Sequence, residues 1–303
     1  MEDVYIVLSF LHVYYFGMQS ENITCLLCQS PNVAVLTHSM CRCRACGYFF
    51  VAPSERDRQQ ANFQIITDAP VNQPMLDNLR KKYPKEGHGK RKLYEAYAQK
   101  ALGWYGADIA VLDVGASGGF FLHEVEKLGA KQANLRTLEV DRTYQALTEE
   151  YFGYEGDIEN IETYVAPRPY HFITLFDVLE HVHKFWDALA TMHSALTPDG
   201  RLLLKLPNAR WAYLKYKMAM LLGWSHKVPG YLYLEPGGHL NYWNNESIKK
   251  LEKAGFVLES FEYVYPHKEQ FGRHHWLRLS GYRLNALLGL NLFPEFIAIF
   301  KKR

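Results

Sequence analysis

The stretch Val111-Leu-Asp-Val-Gly-Ala-Ser-Gly-Gly-Phe-Phe-Leu122 decides how the chain is read. An apolar run reaches Asp113, passes through Gly115, Gly118 and Gly119, and turns directly into a helical pattern. Such a loop lets backbone approach a ligand closely, and a helix start offers free N–H groups to a carboxylate or phosphate. Dinucleotide-binding folds use a similar turn, so the glycines alone do not settle the ligand. Asp113 separates the cases, because a carboxylate there repels a pyrophosphate but suits the ammonium of a methionine moiety.

Outward from this loop, short apolar strands alternate with amphipathic helices, the pattern of an α/β domain with a parallel sheet. The strands expected are Ile109–Val114, Ala133–Val140, His171–Asp177, Arg201–Leu206, Val257–Val264 and Phe296–Lys301. Helices are expected near Lys90–Leu102, Phe120–Leu128, Thr143–Tyr151, Lys184–Leu196 and Asn245–Ala254. Leu196-Thr-Pro-Asp-Gly200 reads as a turn by its proline and glycine. Glu139 ends the second strand about 20 residues past the loop, where a carboxylate can accept both hydroxyls of a ribose. Asp157, in Gly156-Asp-Ile-Glu-Asn160, follows the end of a further strand expected between Ala133–Val140 and His171–Asp177 and can reach an adenine amino group.

These stretches, taken in order, resemble the class I S-adenosylmethionine-dependent methyltransferases. The matching segments are Leu112–Gly119, Leu138-Glu-Val-Asp141, Gly156-Asp157, Phe176-Asp-Val-Leu-Glu-His-Val182, Leu196–Leu204, Pro207-Asn208, His239-Leu-Asn-Tyr242 and Ala254-Gly-Phe256. The subgroup resembled is the one containing the ubiquinone-biosynthesis O-methyltransferases. The resemblance implies a Rossmann-like seven-stranded sheet with helices on both faces, its last strand, near Phe296–Lys301, antiparallel. It also implies S-adenosylmethionine held by Asp113, Gly115, Ser117, Gly119, Glu139, Asp157, Ile158 and Phe176. Ser117 stands where the family usually carries glycine, a tolerable change if its φ is negative. His171 replaces a frequent aspartate at the end of the sheet away from chemistry.

Methyl transfer from a sulfonium needs alignment of the nucleophile and the removal of at most one proton. Glu180, His181 and His239 are the candidate catalytic residues, with His183 read as the exposed start of a helix. The order Asp177-x-x-Glu180-His181 resembles a motif tied to a divalent cation in the ubiquinone-pathway enzymes, where a metal would polarise an acceptor oxygen. The alternative is that Glu180 and His181 shape the loop below the donor.

All five cysteines fall between residues 25 and 46. Cys25-x-x-Cys28 and Cys43-x-x-Cys46-Gly47 are two knuckles whose four thiolates suit a tetrahedral, structural zinc ion, leaving Cys41 spare. Crowding of this kind favours a metal site in a reducing compartment over a disulfide framework, and a cytoplasmic location is expected. Residues 21–52 therefore read as a zinc ribbon, residues 53–106 as a linker with a helical segment, and residues 107–303 as the methyltransferase domain. Cys46-Gly-Tyr-Phe-Phe-Val-Ala-Pro53 resembles the ribbons that precede sugar and small-molecule methyltransferases.

Residues 1–20 hold the apolar run Val4–Phe16, shorter than a membrane helix and preceded by Glu2 and Asp3. They are read as an artefactual or disordered extension, with Met18 as the natural start and no stable membrane insertion. The insertion 208–242 offers Trp211, Tyr213, Tyr216, Trp224, Tyr231, Tyr233 and Tyr242, enough to wall a pocket for a flat or carbohydrate ring. The expected acceptor is a small molecule, a sugar or a lipid-linked group. RNA methylation is the alternative prompted by the ribbon and the basic run Arg80–Lys92. A net charge of +2 and the lack of an Asn/Asp-Pro-Pro-aromatic motif speak against nucleic acid. A non-catalytic binding protein that keeps the fold is the third reading.

Overall fold

In a computed structural model, the structure describes residues 23–36, 40–57, 69–82, 89–222, 239–264, 280, 283–285, 287–290 and 293–303. The amino-terminal extension, Trp224, Tyr231 and Tyr233 lie outside the described residues. The chain opens with strands β1 (Val33–Val35), β2 (Met40–Cys43) and β3 (Phe49–Val51), followed by helices α1 (Gln73–Lys82) and α2 (Arg91–Tyr105). Then come β4 (Val111–Val114), α3 (Phe120–Lys127), β5 (Leu135–Leu138), α4 (Arg142–Phe152), β6 (Gly156–Asp157) and β7 (Tyr170–Phe176). The remainder comprises α5 (Phe185–Ala195), β8 (Leu196–Pro207), α6 (Ala209–Leu221), β9 (Asn241–Tyr242), β10 (Phe256–Tyr263) and β11 (Glu295–Lys302).

Seven strands form one sheet in the order β10-β11-β8-β7-β4-β5-β6. β8, β7, β4, β5 and β6 are mutually parallel, and β11 runs antiparallel to both β8 and β10. This is the fold class the alternating pattern predicts. β4 sits centrally and is buried along its whole length, so it reads as an unbroken apolar run apart from Asp113. Two apolar layers cover the sheet, one holding Phe121, Phe172 and Ile297 and the other Leu112, Ile173 and Phe296.

Local sequence sets the element ends. The Asp141 side chain accepts the Thr143 N–H at 2.7 Å and starts α4, which Gly153 closes at φ 71°. The segment Leu196–Gly200 departs from the simple turn expected. Leu196 pairs with Tyr170 and Arg201 with Phe172, so Thr197–Gly200 bulge out of a strand that continues through them. Residues Asn245–Ala254, read as an α-helix, form a 3₁₀ segment over Ile248–Ala254. His171 lies at the start of β7, its Nδ1 accepting the Ala110 N–H at 3.0 Å, on the sheet end opposite Asp177 as expected.

Arg80 reaches Glu150 and Asp77, each at 2.6 Å, and pins α1 to α4 over Leu76, Leu79 and Leu147. Among the described residues no helix is long and apolar enough to cross a membrane.

The cysteine-bearing segment is built into the larger domain. Its sheet has the order β1-β2-β3-β9, and β9 comes from far along the chain: Phe49 pairs with Tyr242 and Phe50 with Asn241. Trp243, fully buried, packs between Tyr48 and Phe185 with centroids 5.5 and 5.6 Å away. Asn241 is the polar centre of this junction. Its Oδ1 accepts from Tyr48 Oη at 2.5 Å and Arg56 at 3.0 Å, and its Nδ2 donates to the carbonyls of Leu179 and Val182 at 3.2 and 2.7 Å. With no exposure, every one of those bonds is made in a dry setting. Asn241→Ala is therefore expected to cost about 2–4 kcal/mol, because it strands several buried donors and acceptors at once. Thermal or urea unfolding checks this, and a loss below about 1 kcal/mol would deny Asn241 that role.

Candidate active site and cysteine centre

The glycine loop joins β4 to α3 at the carboxyl edge of the sheet. Gly115 has φ 64°, and a Cβ there would lie 2.5 Å from Val178 Cγ2. Gly119 has φ 73°, and its Cβ would meet Thr148 at 2.8 Å. Both positions thus demand glycine twice over, by backbone conformation and by the closeness of neighbouring segments. Ser117 corrects the expectation of a negative φ: it sits at 54°, in the left-handed region. Two bonds hold it there, its N–H donating to Glu139 Oε2 at 3.1 Å and its carbonyl accepting from Thr148 at 2.9 Å. That conformation costs about 1–2 kcal/mol for an L-residue.

Glu139 lies just past the carboxyl end of β5, beside the loop. It is buried and also accepts the N–H groups of Val140 and Asp141 at 2.9 and 3.2 Å. Burial raises its carboxyl above the ordinary range, and those three backbone donors oppose the rise. Asp113, one strand inward, accepts from Thr174 Oγ1 at 2.6 Å and is pushed up to about 7 by burial, with Glu139 adding to the effect. Asp157 pairs two-pronged with Arg136 at 2.6 and 2.7 Å and accepts from Tyr164 at 2.8 Å. Arg136 holds its carboxyl below the ordinary range. Ile158 follows, half-buried, whereas Phe176 is buried in an aromatic cluster with Tyr94 and Phe121, at 4.9 and 5.1 Å.

Next along the same edge, Asp177 holds φ 59° at the end of β7. One of its oxygens takes Lys90 at 2.6 Å and the other takes Lys205 at 2.5 Å. Lys205 is buried and reaches Glu295 at 2.9 Å as well, so its charge is matched on both sides. Asp177 is thereby removed from the cation-binding set read from the sequence. The structure brings together Glu180, His181 and His239 instead, with ligand atoms all within 4.8 Å of one another. Glu180 is fully buried, its Oε2 has no hydrogen-bond partner, and burial together with nearby Asp177 pushes its carboxyl up to about 8. The rings of His181 and His239 meet edge to face at 4.6 Å. Burial, with His181 adding to it, lowers His239 to about 4. A buried carboxyl beside two imidazoles, with one oxygen unsatisfied among the described residues, fits a divalent cation.

His183 is not the exposed helix start expected. It is half-buried, its carbonyl accepts from Arg56, and burial lowers its imidazole. Arg56 also donates to the Leu240 carbonyl at 2.9 Å. The loop carrying Glu180 and the turn carrying His239 are therefore clamped by one guanidinium from the chain just after the cysteine segment. Leu240 N donating to the Glu180 carbonyl at 2.7 Å ties them directly.

Cys25, Cys28, Cys43 and Cys46 converge with sulfur atoms all within 4.8 Å, and all are reduced. Cys25 faces Cys46 at 3.7 Å and Cys28 faces Cys43 at 3.6 Å. Four thiols at these separations around one point match the soft tetrahedral donor set of zinc. Cys41 is buried in β2 outside that set, its thiol raised to about 11 by burial. Among the described residues of the aromatic insertion, Tyr213 and Tyr216 face the cysteine segment. Tyr213 packs on Phe49 at 5.2 Å with Arg42 over its ring, and Tyr216 stacks beside it.

A family model described as Methyltransferase domain matches residues 87–260. That is more than half of the chain, and the chain belongs to this family. By family and sheet it is an S-adenosylmethionine-dependent methyltransferase. No curated sequence relative matches it. Among solved structures, a chain from the Haloferax volcanii Trm112 methyltransferase activator complex is 10% identical, with a TM-score of 0.52 over 77% of this chain and 99% of that one. An S-adenosylmethionine-dependent methyltransferase from Mesorhizobium loti is 13% identical, with a TM-score of 0.49 over 72% of this chain and 100% of that one. Magnesium protoporphyrin IX methyltransferase from Synechocystis PCC 6803 is 13% identical, with a TM-score of 0.48 over 83% and 95%.

Sequence reasoning missed Lys90, Lys205, Arg56 and Asn241. A lysine inside the apolar run of β8 was a signal for Lys205; nothing local marked Arg56. The raised carboxyl of Asp113 generates a pH prediction. Between the ordinary carboxylate value of about 4 and the folded value of about 7, the folded state holds a proton that the unfolded state has lost. Stability attributable to Asp113 therefore falls as pH rises through that window and is level above it. Asp113→Asn should gain on the parent in urea unfolding as pH rises from about 4 to about 7. A variant that tracks the parent across the window would contradict the buried, protonated carboxyl.

Proposed function

We propose that this chain transfers the methyl group of S-adenosylmethionine to a small-molecule, sugar or lipid-linked acceptor. The observation that carries the donor half is Glu139, a buried carboxylate at a strand end, bonded to the N–H of the left-handed Ser117. A ribose diol placed there would take over that carboxylate as a two-point acceptor. Gly115, Ser117 and Gly119 offer close backbone approach for the methionine moiety. Asp113 stabilises the loop from beneath and favours an ammonium once ionised. Asp157, Ile158 and Phe176 complete the donor side, Asp157 and Ile158 near the adenine and Phe176 through the packing behind the loop.

The acceptor reaches the same edge beside Glu180, His181 and His239. His239 is the candidate to receive the proton released when an acceptor oxygen or nitrogen attacks the methyl carbon; burial keeps it neutral near pH 7 and also makes it a weak base. Glu180 and His181 orient that acceptor. A divalent cation held by the same three residues would supply polarisation of an acceptor oxygen, the chemistry that the likeness to ubiquinone-pathway enzymes suggests. Cys25, Cys28, Cys43 and Cys46 hold a structural zinc ion that fixes the cysteine segment and, through Arg56 and β9, the acceptor side. The tying of Arg80 to Glu150 and Lys90 to Asp177 supports a small acceptor over RNA, since those cations already have partners.

Glu139→Ala should weaken S-adenosylmethionine and S-adenosylhomocysteine alike, by about 1.5–3 kcal/mol, the worth of hydrogen bonds to a charged group. Titration calorimetry on protein whose unfolding midpoint is checked in parallel measures this. Unchanged affinity would remove Glu139 from the donor site.

A further inference from the structure

Helix α6 leaves β8 immediately after Lys205, Leu206 and Pro207, at the carboxyl edge where the acceptor enters. One stripe of the helix is internal: Ala209, Ala212, Tyr213 and Tyr216 pack on Met40, Phe49 and Val51 of the cysteine segment. The opposite stripe is apolar as well. Trp211, Leu214, Met218, Leu221 and Leu222 recur at i, i+3, i+7, i+10 and i+11, which places them on one helix face. Leu222 belongs to that face because its N–H continues the helical bonding to the Met218 carbonyl. Met218, Leu221 and Leu222 are 53%, 86% and 49% exposed.

A stripe of this kind is costly in water and marks an interaction surface. Its charge says what covers it. Between Asn208 and Leu222 the chain carries Arg210, Lys215 and Lys217 and no acidic residue. By the same periodicity Arg210 and Lys217 flank the stripe on one side and Lys215 on the other. Lys215 lies near the Trp211 ring of the stripe, at 6.0 Å, as cations do at the border of an apolar surface, and Lys217 lies 5.5 Å from the ring of Tyr213 on the internal stripe. A second apolar stretch is rooted nearby: Leu284, Leu287 and Leu288 are 57%, 83% and 60% exposed, with Arg283 beside them. That stretch leads within a few residues to Phe293, whose carbonyl accepts from Asn208 at the start of α6.

We propose that α6 docks on the interfacial layer of an anionic lipid bilayer. The stripe would enter the acyl boundary, and Arg210, Lys215 and Lys217 would meet the headgroup phosphates. Pairing with a second copy would set like charges against one another, and a nucleic acid would find leucine and methionine where phosphates need donors. The inference deepens the acceptor reading and rests on it for its meaning: an enzyme held this way presents its carboxyl edge to lipid-linked acceptors.

The test is co-sedimentation of the full chain with vesicles of phosphatidylcholine, with and without phosphatidylglycerol. The parent should bind the mixed vesicles, bind neutral ones less, and be released by salt. The double variant Met218→Gln, Leu221→Gln should lose about tenfold or more in vesicle affinity, as expected for two apolar side chains no longer buried. Lys215→Glu, Lys217→Glu should lose the preference for phosphatidylglycerol. Unfolding midpoint and S-adenosylmethionine affinity should match the parent in both, which separates failure of docking from failure of the methyltransferase reading. A parent that ignores both kinds of vesicle, or variants that bind as well as the parent, would overturn the proposal. So would self-association of the parent that the leucine and methionine changes abolish, since a second copy would then be the occupant.

Discussion

The hydrogen bonds of Asn241 set the terms for the rest of this molecule. One amide joins a tyrosine of the cysteine segment and an arginine just after it to two carbonyls of the loop that carries Glu180. Its backbone meanwhile pairs β9 with β3. A small cysteine segment has too little apolar surface to stand on its own, and four thiolates around a metal are one usual remedy. Here the larger domain lends a strand and a buried tryptophan to the same sheet. The consequence runs both ways. Residues far from the cysteines in sequence hold them in place, and the cysteine segment fixes the geometry of Glu180 and His239.

The donor edge obeys a different constraint. Two glycines, a serine and an aspartate adopt left-handed backbone at strand ends, where the loop after β4 and the turn after β7 pass within contact distance. That crowding leaves Glu139 and Asp113 near one another in a poorly solvated setting. Lys90 and Lys205 neutralise Asp177, and backbone donors satisfy Glu139. Asp113, with only Thr174 as a named side-chain partner, keeps its proton to about neutral pH. The strain and the burial are tolerated because the surrounding sheet is rigid, and they concentrate where a ligand would be received.

Much of this was legible in the sequence. The alternation of apolar runs and helical patterns placed six of the seven strands of the large sheet, and the glycine loop lies between β4 and α3 as read. Two cysteine pairs at equal spacing gave the four-sulfur cluster. Other features were illegible because they depend on contacts between distant segments. The two-residue strand β9 is too short to have a period, and its pairing with Phe49 and Phe50 crosses most of the chain. The left-handed φ of Ser117 follows from Glu139 and Thr148, not from serine itself. Asp157 looked like a free acid after a strand, yet Arg136, two residues before the end of the adjacent strand, had already claimed it. His239 joins the cluster in place of Asp177 because two lysines, one of them in the basic run, occupy the aspartate.

The cysteine centre and the loops that carry Glu180 and His239 form one mechanical unit. Hydrogen exchange measured before and after chelation of the metal, under reducing conditions and with zinc content determined on the same sample, reads this out. One zinc per chain is expected. Its removal should speed exchange in Cys25–Val51 and equally in Leu179–Val182 and Leu240–Trp243, while Val111–Val114 stays protected. Protein without zinc, or faster exchange confined to Cys25–Val51, would contradict it.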